Sequence, residues 1–413
     1  MKYLVVGGGI SGLYSAYSLH KKFGTNDMMI IERDDHIGGH YMTFDLGFRT
    51  IELGAAIFLN IHTNILSLIN ELGLSDKLVL IKSERSYGDV DGQKIKQINK
   101  LSESGFVDTI NDIQSKIINK EIPIDLARSY SLFRLLERTY GIDTATKINN
   151  EFGYDGDITR QNSIDALNML HRDLNRPFYS MNGGLKQIID KLHDYFEINK
   201  IPIQLNSELV NIKKSNNKYR CMIANGTSIE ADNVILSIPT SCLAKIRFLS
   251  PIRELLNSVS IKSLMRIYLI FPTENGHSWF DHLNGIITTA TKARQIIPVD
   301  KKHGVIMIYV SDDASAAWKY LDKTNLLKNE VMDCFRKLFG NNIPDPTKVI
   351  VKYWQEGTHI WKPTVDSSSL SQQILKPFNN EQVYIVGESY SMIQQWSQGA
   401  LDTVNHLMSL LKQ

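Results

Sequence analysis

Apolar and polar positions alternate along this chain in two distinct registers. Near the N-terminus Tyr3-Leu4-Val5-Val6 is a short continuous apolar run, the pattern of a strand buried on both faces. It leads into Gly7-Gly8-Gly9-Ile10-Ser11-Gly12, and an apolar helix follows from Leu13 to Phe23. A second buried strand is predicted at Met28-Met29-Ile30-Ile31. A helix is predicted over Asn64 to Leu72, where Ile65, Leu68, Ile69 and Leu72 share one face and Gly73 caps the end. Residues 82–181 change character: polar helical stretches dominate (Asp108 to Asn119, Leu126 to Tyr140, Ser163 to Leu174) and strand signals are few. A new helix opens after Asn182-Gly183-Gly184, with Leu185, Ile188, Ile189 and Leu192 on one face.

From Ile203 the pattern turns to strands. Tyr219 to Ala224 and Thr227 to Ala231 flank Asn225-Gly226, which predicts a type I′ hairpin. Val234 to Ile238 reads as a buried strand stopped by Pro239. Further strands are expected at Leu264 to Phe271, Val305 to Val310, Lys348 to Trp354 and Val383 to Val386, with a helix at Asn325 to Phe339. The segment Leu401 to Leu411 is an amphipathic helix, interrupted by Asp402, Asn405 and His406.

Gly7, Gly9 and Gly12 match the G-x-G-x-x-G fingerprint of dinucleotide sites. Its glycines serve the tight turn, the approach of a pyrophosphate and helix–strand packing. The motif alone is common. Here it sits between a strand and a helix, and the second strand ends in Glu32, near the spacing at which an acid takes ribose hydroxyls. Dinucleotide binding is the expectation.

Composition narrows the rest. A chain of 413 residues with 43% hydrophobic residues holds a large core or two interleaved domains. A formal net charge of +2, without a basic run interleaved with aromatics, gives no support to nucleic-acid binding. Cys221, Cys242 and Cys334 are odd in number and widely spaced, so neither a metal site nor a disulfide framework is expected. A strand beginning by residue 2 leaves no room for a signal peptide, and no apolar run reaches bilayer length. The expected compartment is the cytoplasm.

These elements, in this order, resemble the flavin-containing amine oxidase superfamily, which includes monoamine and polyamine oxidases, L-amino-acid oxidases, protoporphyrinogen oxidase and carotene-desaturase-like enzymes. The resemblance runs end to end. It is carried by Val5 to Leu13, by Ile31-Glu32 through Gly38-Gly39, by Glu52-Leu53-Gly54-Ala55, by Asn182-Gly183-Gly184, by Leu209-Val210, and by the pair Gly387-Glu388 and Gly399-Ala400. It implies an α/β fold in which a Rossmann-type, glutathione-reductase-like FAD domain (1–81, 182–262 and 366–413) is interleaved with a mixed-sheet and helical substrate domain (82–181 and 263–365). It implies FAD contacts from Gly7, Gly9, Ile10, Ser11, Gly12, Glu32, Arg33, Gly39, His40, Gly54, Ala55, Val210, Gly387, Glu388, Trp396 and Ala400.

Three positions depart from the family pattern. His40 stands where the family's G-G-R has arginine, and Arg266 stands where many members place a lysine that holds a water near flavin N5. No cysteine around Thr358 to Trp361 matches the tether of monoamine oxidases, so FAD is expected to be non-covalent. The resemblance also implies an aromatic slot for an amine, from Trp396 and Trp361. Each of these residues has a structural alternative: Trp396 as a core residue, Trp361 as an interface anchor, Arg266 as half of a buried ion pair. The implied activity is amine or amino-acid oxidation by hydride transfer to N5, with imine hydrolysis and reduction of O₂ to peroxide. Two other chemistries stay open, a desaturase or protoporphyrinogen-oxidase-like reaction at C–C bonds and a UDP-galactopyranose-mutase-like use of reduced flavin.

Overall fold

The computed structural model describes residues 1–81, 84–91, 94–174 and 176–411. Residue 82, where the sequence sets a domain boundary, lies outside them. The chain divides into two compact units. The first comprises 1–81, 177–259 and 366–413, the second 82–176 and 260–365.

The first unit is built on a five-stranded parallel sheet in the order Ile203–Gln204, Met28–Ile31, Tyr3–Val6, Asn233–Leu236, Val383–Ile385. Parallel strands covered on both faces must be apolar throughout, which is why Tyr3–Val6 and Val234–Leu236 are unbroken buried runs. The helices Ile10–Phe23, Lys186–Ile198 and Ser397–Leu410 bury Leu13, Leu19, Ile188, Leu192, Leu401 and Leu407 in one core with the sheet. A three-stranded antiparallel sheet follows, Leu209–Ser215, Lys218–Ile223 and Ser228–Ala231. Its turn is not type I′. The Gly226 N–H donates to the Ile223 carbonyl and only Gly226 is left-handed (φ 87°), while Asn225 instead accepts the Thr227 N–H on its side chain. This four-residue connection relieves Asn225 of the positive φ that a two-residue loop demands.

The second unit holds a seven-stranded mixed sheet in the order Lys348–Trp361, Val259–Ile270, Val305–Ser311, Gln295–Asp300, Ile286–Thr289, Arg85–Asp91, Lys94–Lys100. The last two strands correct the reading of 82–181 as helical. Arg85–Asp91 and Lys94–Lys100 are paired antiparallel strands, and Phe178–Met181 is also a strand. Their sequences are polar on both faces or very short, so alternation does not reveal them. Leu126 to Tyr140 is two helices, Ile124–Ser129 and Leu132–Tyr140, because the Ser131 hydroxyl caps the second by accepting the Arg134 N–H. The strand expected to stop at Trp354 runs on to Trp361.

Register across the large sheet sorts its residues by face. Arg266 pairs with Tyr309, Tyr309 with Gln295, Gln295 with Thr288, and Thr288 with Tyr87. Tyr268 pairs with Met307, Met307 with Ile297, and Ile286 with Arg85, so these residues share that face. The opposite face carries Met265, Ile267, Leu269, Ile296, Ile306 and Ile308, fully buried against the helices Asp312–Lys323 and Leu327–Phe339. One face of this sheet is thus core and the other polar and aromatic.

Among the described residues no helix is long and apolar enough to cross a membrane, and no group of three or more His, Cys, Asp or Glu is placed to hold a metal ion. Cys221, Cys242 and Cys334 are free thiols.

Candidate functional site

The glycine loop follows the strand Tyr3–Val6 at the C-terminal edge of the parallel sheet, where open α/β sheets bind ligands. Its three fingerprint glycines have different surroundings. Gly7 has φ 107°, and a Cβ there would lie 2.2 Å from the Ser237 carbonyl oxygen. At Gly12 a Cβ would lie 1.9 Å from the Gly7 carbonyl oxygen. These two are glycines because backbone packs on backbone. Gly9 has an ordinary extended conformation (φ −76°, ψ 177°), and a Cβ there would meet nothing within 4 Å. Neither strain nor packing inside the protein asks for glycine at Gly9. Gly9 is also the N-cap of the helix Ile10–Phe23 and brings no side chain to cap it, which leaves the positive end of the helix open to an anion.

Other family-pattern elements gather around this loop. The Glu32 carboxylate accepts the Gly8 N–H at 2.6 Å and the Asp34 N–H at 3.0 Å, which fixes it beside the loop. Ser11 and Ser237 share a hydroxyl hydrogen bond of 2.6 Å. The Gly38 N–H donates to the Gly8 carbonyl, and Gly39 lies against the Gly9 Cα. Gly54 packs so closely on His40 that a Cβ would fall 2.0 Å from the His40 carbonyl oxygen, which also accepts the Ala55 N–H. Gly387 has φ 134°, and a Cβ there would sit 3.7 Å from the Ser11 hydroxyl. Glu388 accepts the Gln395 N–H at 2.7 Å and so ties down the loop before the last helix. Gly399 lets that helix pack under the same loop, its Cβ position lying 2.0 Å from the Ile393 carbonyl oxygen.

Arg33 is exposed, ion-paired with Asp34 and bonded to the Cys242 thiol. Val210 is exposed at a bulge that takes it out of register with the neighbouring strand. A cleft of about 560 Å³, lined in part by His36, Tyr41, Lys186 and His193, borders the segment after the second glycine pair, but no residue of 7–12 lines it.

Trp396 is half-buried as the N-cap of the helix Ser397–Leu410. His62 meets its ring edge-on at 5.0 Å, and Phe178 stacks on it at 6.4 Å. His62 is oriented by accepting the Leu59 N–H at Nδ1. Neither His62 nor Phe178 stands out in the sequence, since no motif marks them and only the fold brings them to Trp396.

In the second unit Trp361 is 1% exposed, and its backbone carbonyl accepts the Asn162 N–H. It packs as a core residue, with no open ring face for a substrate. Arg266 is partly accessible on the polar face of the large sheet. Its guanidinium lies 4.8 Å from the Tyr309 ring centroid and donates at 3.4 Å to the Tyr268 hydroxyl. Burial, and then neighbouring Tyr154, raise the Tyr309 phenol above its ordinary value, so it stays neutral. The alternative of a buried ion pair falls not to Arg266 but to Lys262 on the same strand, which holds Asp157 at 2.5 Å.

The glycine arrangement is shared by many nucleotide-binding proteins; the comparisons are narrower. The family model described as flavin containing amine oxidoreductase matches residues 10–403. An uncharacterised protein of Acanthamoeba polyphaga mimivirus is 25% identical over 98% of this chain and 92% of its own length. Human lysine-specific histone demethylase 2 is 24% identical over 85% of this chain, but the match spans only 45% of the demethylase. Among solved structures, a putrescine oxidase double mutant redesigned in cofactor binding superposes with a TM-score of 0.76 at 14% identity, covering 99% of this chain and 98% of the other. That likeness shows the fold, and the match along nearly the whole chain shows the family: this protein is an oxidoreductase of the flavin-containing amine oxidoreductase family.

Proposed function

We propose that the first unit binds FAD non-covalently and that the protein oxidises an amine or amino acid at the carbon bearing nitrogen. The observation that carries this reading is Gly9, a glycine with open space in front of it at an uncapped helix N-terminus. Ile10, Ser11 and Gly12 would turn backbone N–H groups to the pyrophosphate, and Glu32 would take the ribose hydroxyls with the lone pairs its backbone partners leave free. The segments at Gly39-His40, Gly54-Ala55, Gly387-Glu388 and Ala400 would complete the cradle, with Arg33 and Val210 toward the nucleotide end.

Bound FAD would supply the two-electron acceptor for a hydride from the substrate. The chain's share is to bind the substrate, orient its C–H bond and exclude water. Trp396, braced by His62 and Phe178, would offer a ring face to the substrate. Arg266 would order water or hold a substrate carboxylate, as a planar fork rather than the point charge of a lysine. Overall, amine, water and O₂ become a carbonyl compound, ammonia and hydrogen peroxide. Three free thiols suit a reducing compartment, and we assign the protein to the cytoplasm.

The purified protein is expected to be yellow and to release intact FAD on acid precipitation, because Thr358 to Trp361 contains no cysteine to tether it. Flavin that remains on the precipitated polypeptide overturns the non-covalent binding. A peroxide assay over a panel of amines and amino acids tests the activity, and absence of peroxide with every member of the panel overturns it. Replacement of Trp396 by alanine is expected to leave flavin content unchanged. It should slow anaerobic reduction by the substrate found in that panel by about 10- to 100-fold, the scale of lost orientation. Parental reduction kinetics in this variant would make Trp396 a packing residue only.

A further inference from the structure

The polar face of the seven-stranded sheet carries positive charge that no carboxylate among the described residues neutralises. Arg266 stacks on Tyr309 at 4.8 Å, the Tyr309 and Tyr154 rings meet edge-on at 5.8 Å, and Arg85 lies 5.5 Å from the Tyr154 centroid. The sheet register puts both arginines on this one face. Arg85 is further covered by Phe152 at 5.8 Å, and its Nη1 is buried with no hydrogen-bond partner. Among the described residues Arg266 donates to the Tyr268 hydroxyl at 3.4 Å and meets the Met307 sulfur at 3.7 Å. Among the described residues neither guanidinium has a carboxylate at ion-pair distance. The adjoining Lys262–Asp157 pair is internally neutral and supplies no counter-charge.

Half-buried guanidiniums are costly when unpaired, and a buried N–H without an acceptor calls for a missing group. The planar fork of arginine matches a carboxylate, and tyrosine rings beside it match an apolar or aromatic body. A cationic diamine would instead meet two like charges here. We propose that Arg85 is a specificity-determining anchor for a carboxylate on the substrate. The carboxylate pairs with Arg85 and the apolar body lies along Tyr154 and Tyr309, while the second guanidinium, Arg266, disfavours diamines that bring no carboxylate. This narrows the proposed amine oxidation to carboxylate-bearing amines, and it rests on that reading only for the amine.

Calorimetric titration of the full-length protein as purified tests it with two probes of similar size, benzoate and benzylamine. Benzoate is expected to bind at least tenfold more tightly. Arg85→Gln should weaken benzoate about tenfold or more, and Arg85→Lys should restore part of the loss. Equal binding of the two probes overturns the proposal without reference to any variant, and so does parental benzoate affinity in a folded Arg85→Gln protein. Flavin absorbance in the same sample separates the two readings. Colourless protein with Arg85-dependent benzoate binding keeps the anion site and removes the flavin assignment, and yellow protein that does not prefer benzoate does the reverse.

Discussion

Gly9→Val should fold like the parent and yet purify without flavin. The backbone at Gly9 is already in a conformation any L-residue adopts, and the new side chain would meet no protein atom within 4 Å at its Cβ. It would occupy the space needed for close approach of a pyrophosphate, so affinity is expected to fall by about 100-fold or more, the scale of losing several charge-assisted hydrogen bonds. Gly12→Val is the matched control with the opposite outcome. Its Cβ would sit 1.9 Å from the Gly7 carbonyl oxygen, where two backbones touch and neither is free to move. Overpacking there is expected to destabilise the first unit by about 3 kcal/mol or more. Melting curves recorded on flavin-stripped protein distinguish the two. If Gly9→Val keeps its flavin, or melts as early as Gly12→Val, the glycine loop is a packing motif and the nucleotide sits elsewhere.

The second large effect is expected at Lys262. Its side chain is 1% exposed and that of Asp157 is 3% exposed, and they hold each other at 2.5 Å. The ammonium also lies 5.6 Å from the Tyr154 ring centroid. Lys262→Met should leave a buried carboxylate without its counter-ion, at a cost of about 3–5 kcal/mol. The double replacement Lys262→Met with Asp157→Leu should recover most of that loss, since an apolar pair of similar volume removes both desolvation costs. Urea midpoints of the four proteins complete the cycle. A single variant as stable as the parent would show that the pair contributes nothing to the second unit. A recovery of stability without a recovery of Tyr154 position, read as weaker benzoate binding, would show that the pair also holds the aromatic wall in place.

What could be read from the chain and what could not divide along a physical line. Local rules were enough where the chemistry is local. The apolar run Tyr3–Val6, the glycine fingerprint and the acid at Glu32 announce a strand, a turn and a helix, because turn sterics and helix-end polarity act over a few residues. Helix faces such as Ile188, Ile189 and Leu192 were legible for the same reason. The strand pair Arg85–Asp91 and Lys94–Lys100 was not legible, because its strands have no clean apolar alternation. The Asn225-Gly226 turn was misjudged because each flanking strand stops one residue short of the expected loop, leaving four residues rather than two in the connection. Trp361 looked like its partner Trp396 in sequence, but a strand longer than expected carries it into the core while Trp396 stays half-open at a helix start. By itself, then, the sequence determined the strand, glycine turn and helix of the first unit and the family. Only the tertiary structure decided which arginines stand, among the described residues, without a carboxylate at ion-pair distance, which lysine is already paired, and which tryptophan is half-buried rather than core. Charge compensation and ring exposure depend on residues far apart in the chain, whose meeting is set by strand register and helix packing rather than by any local pattern.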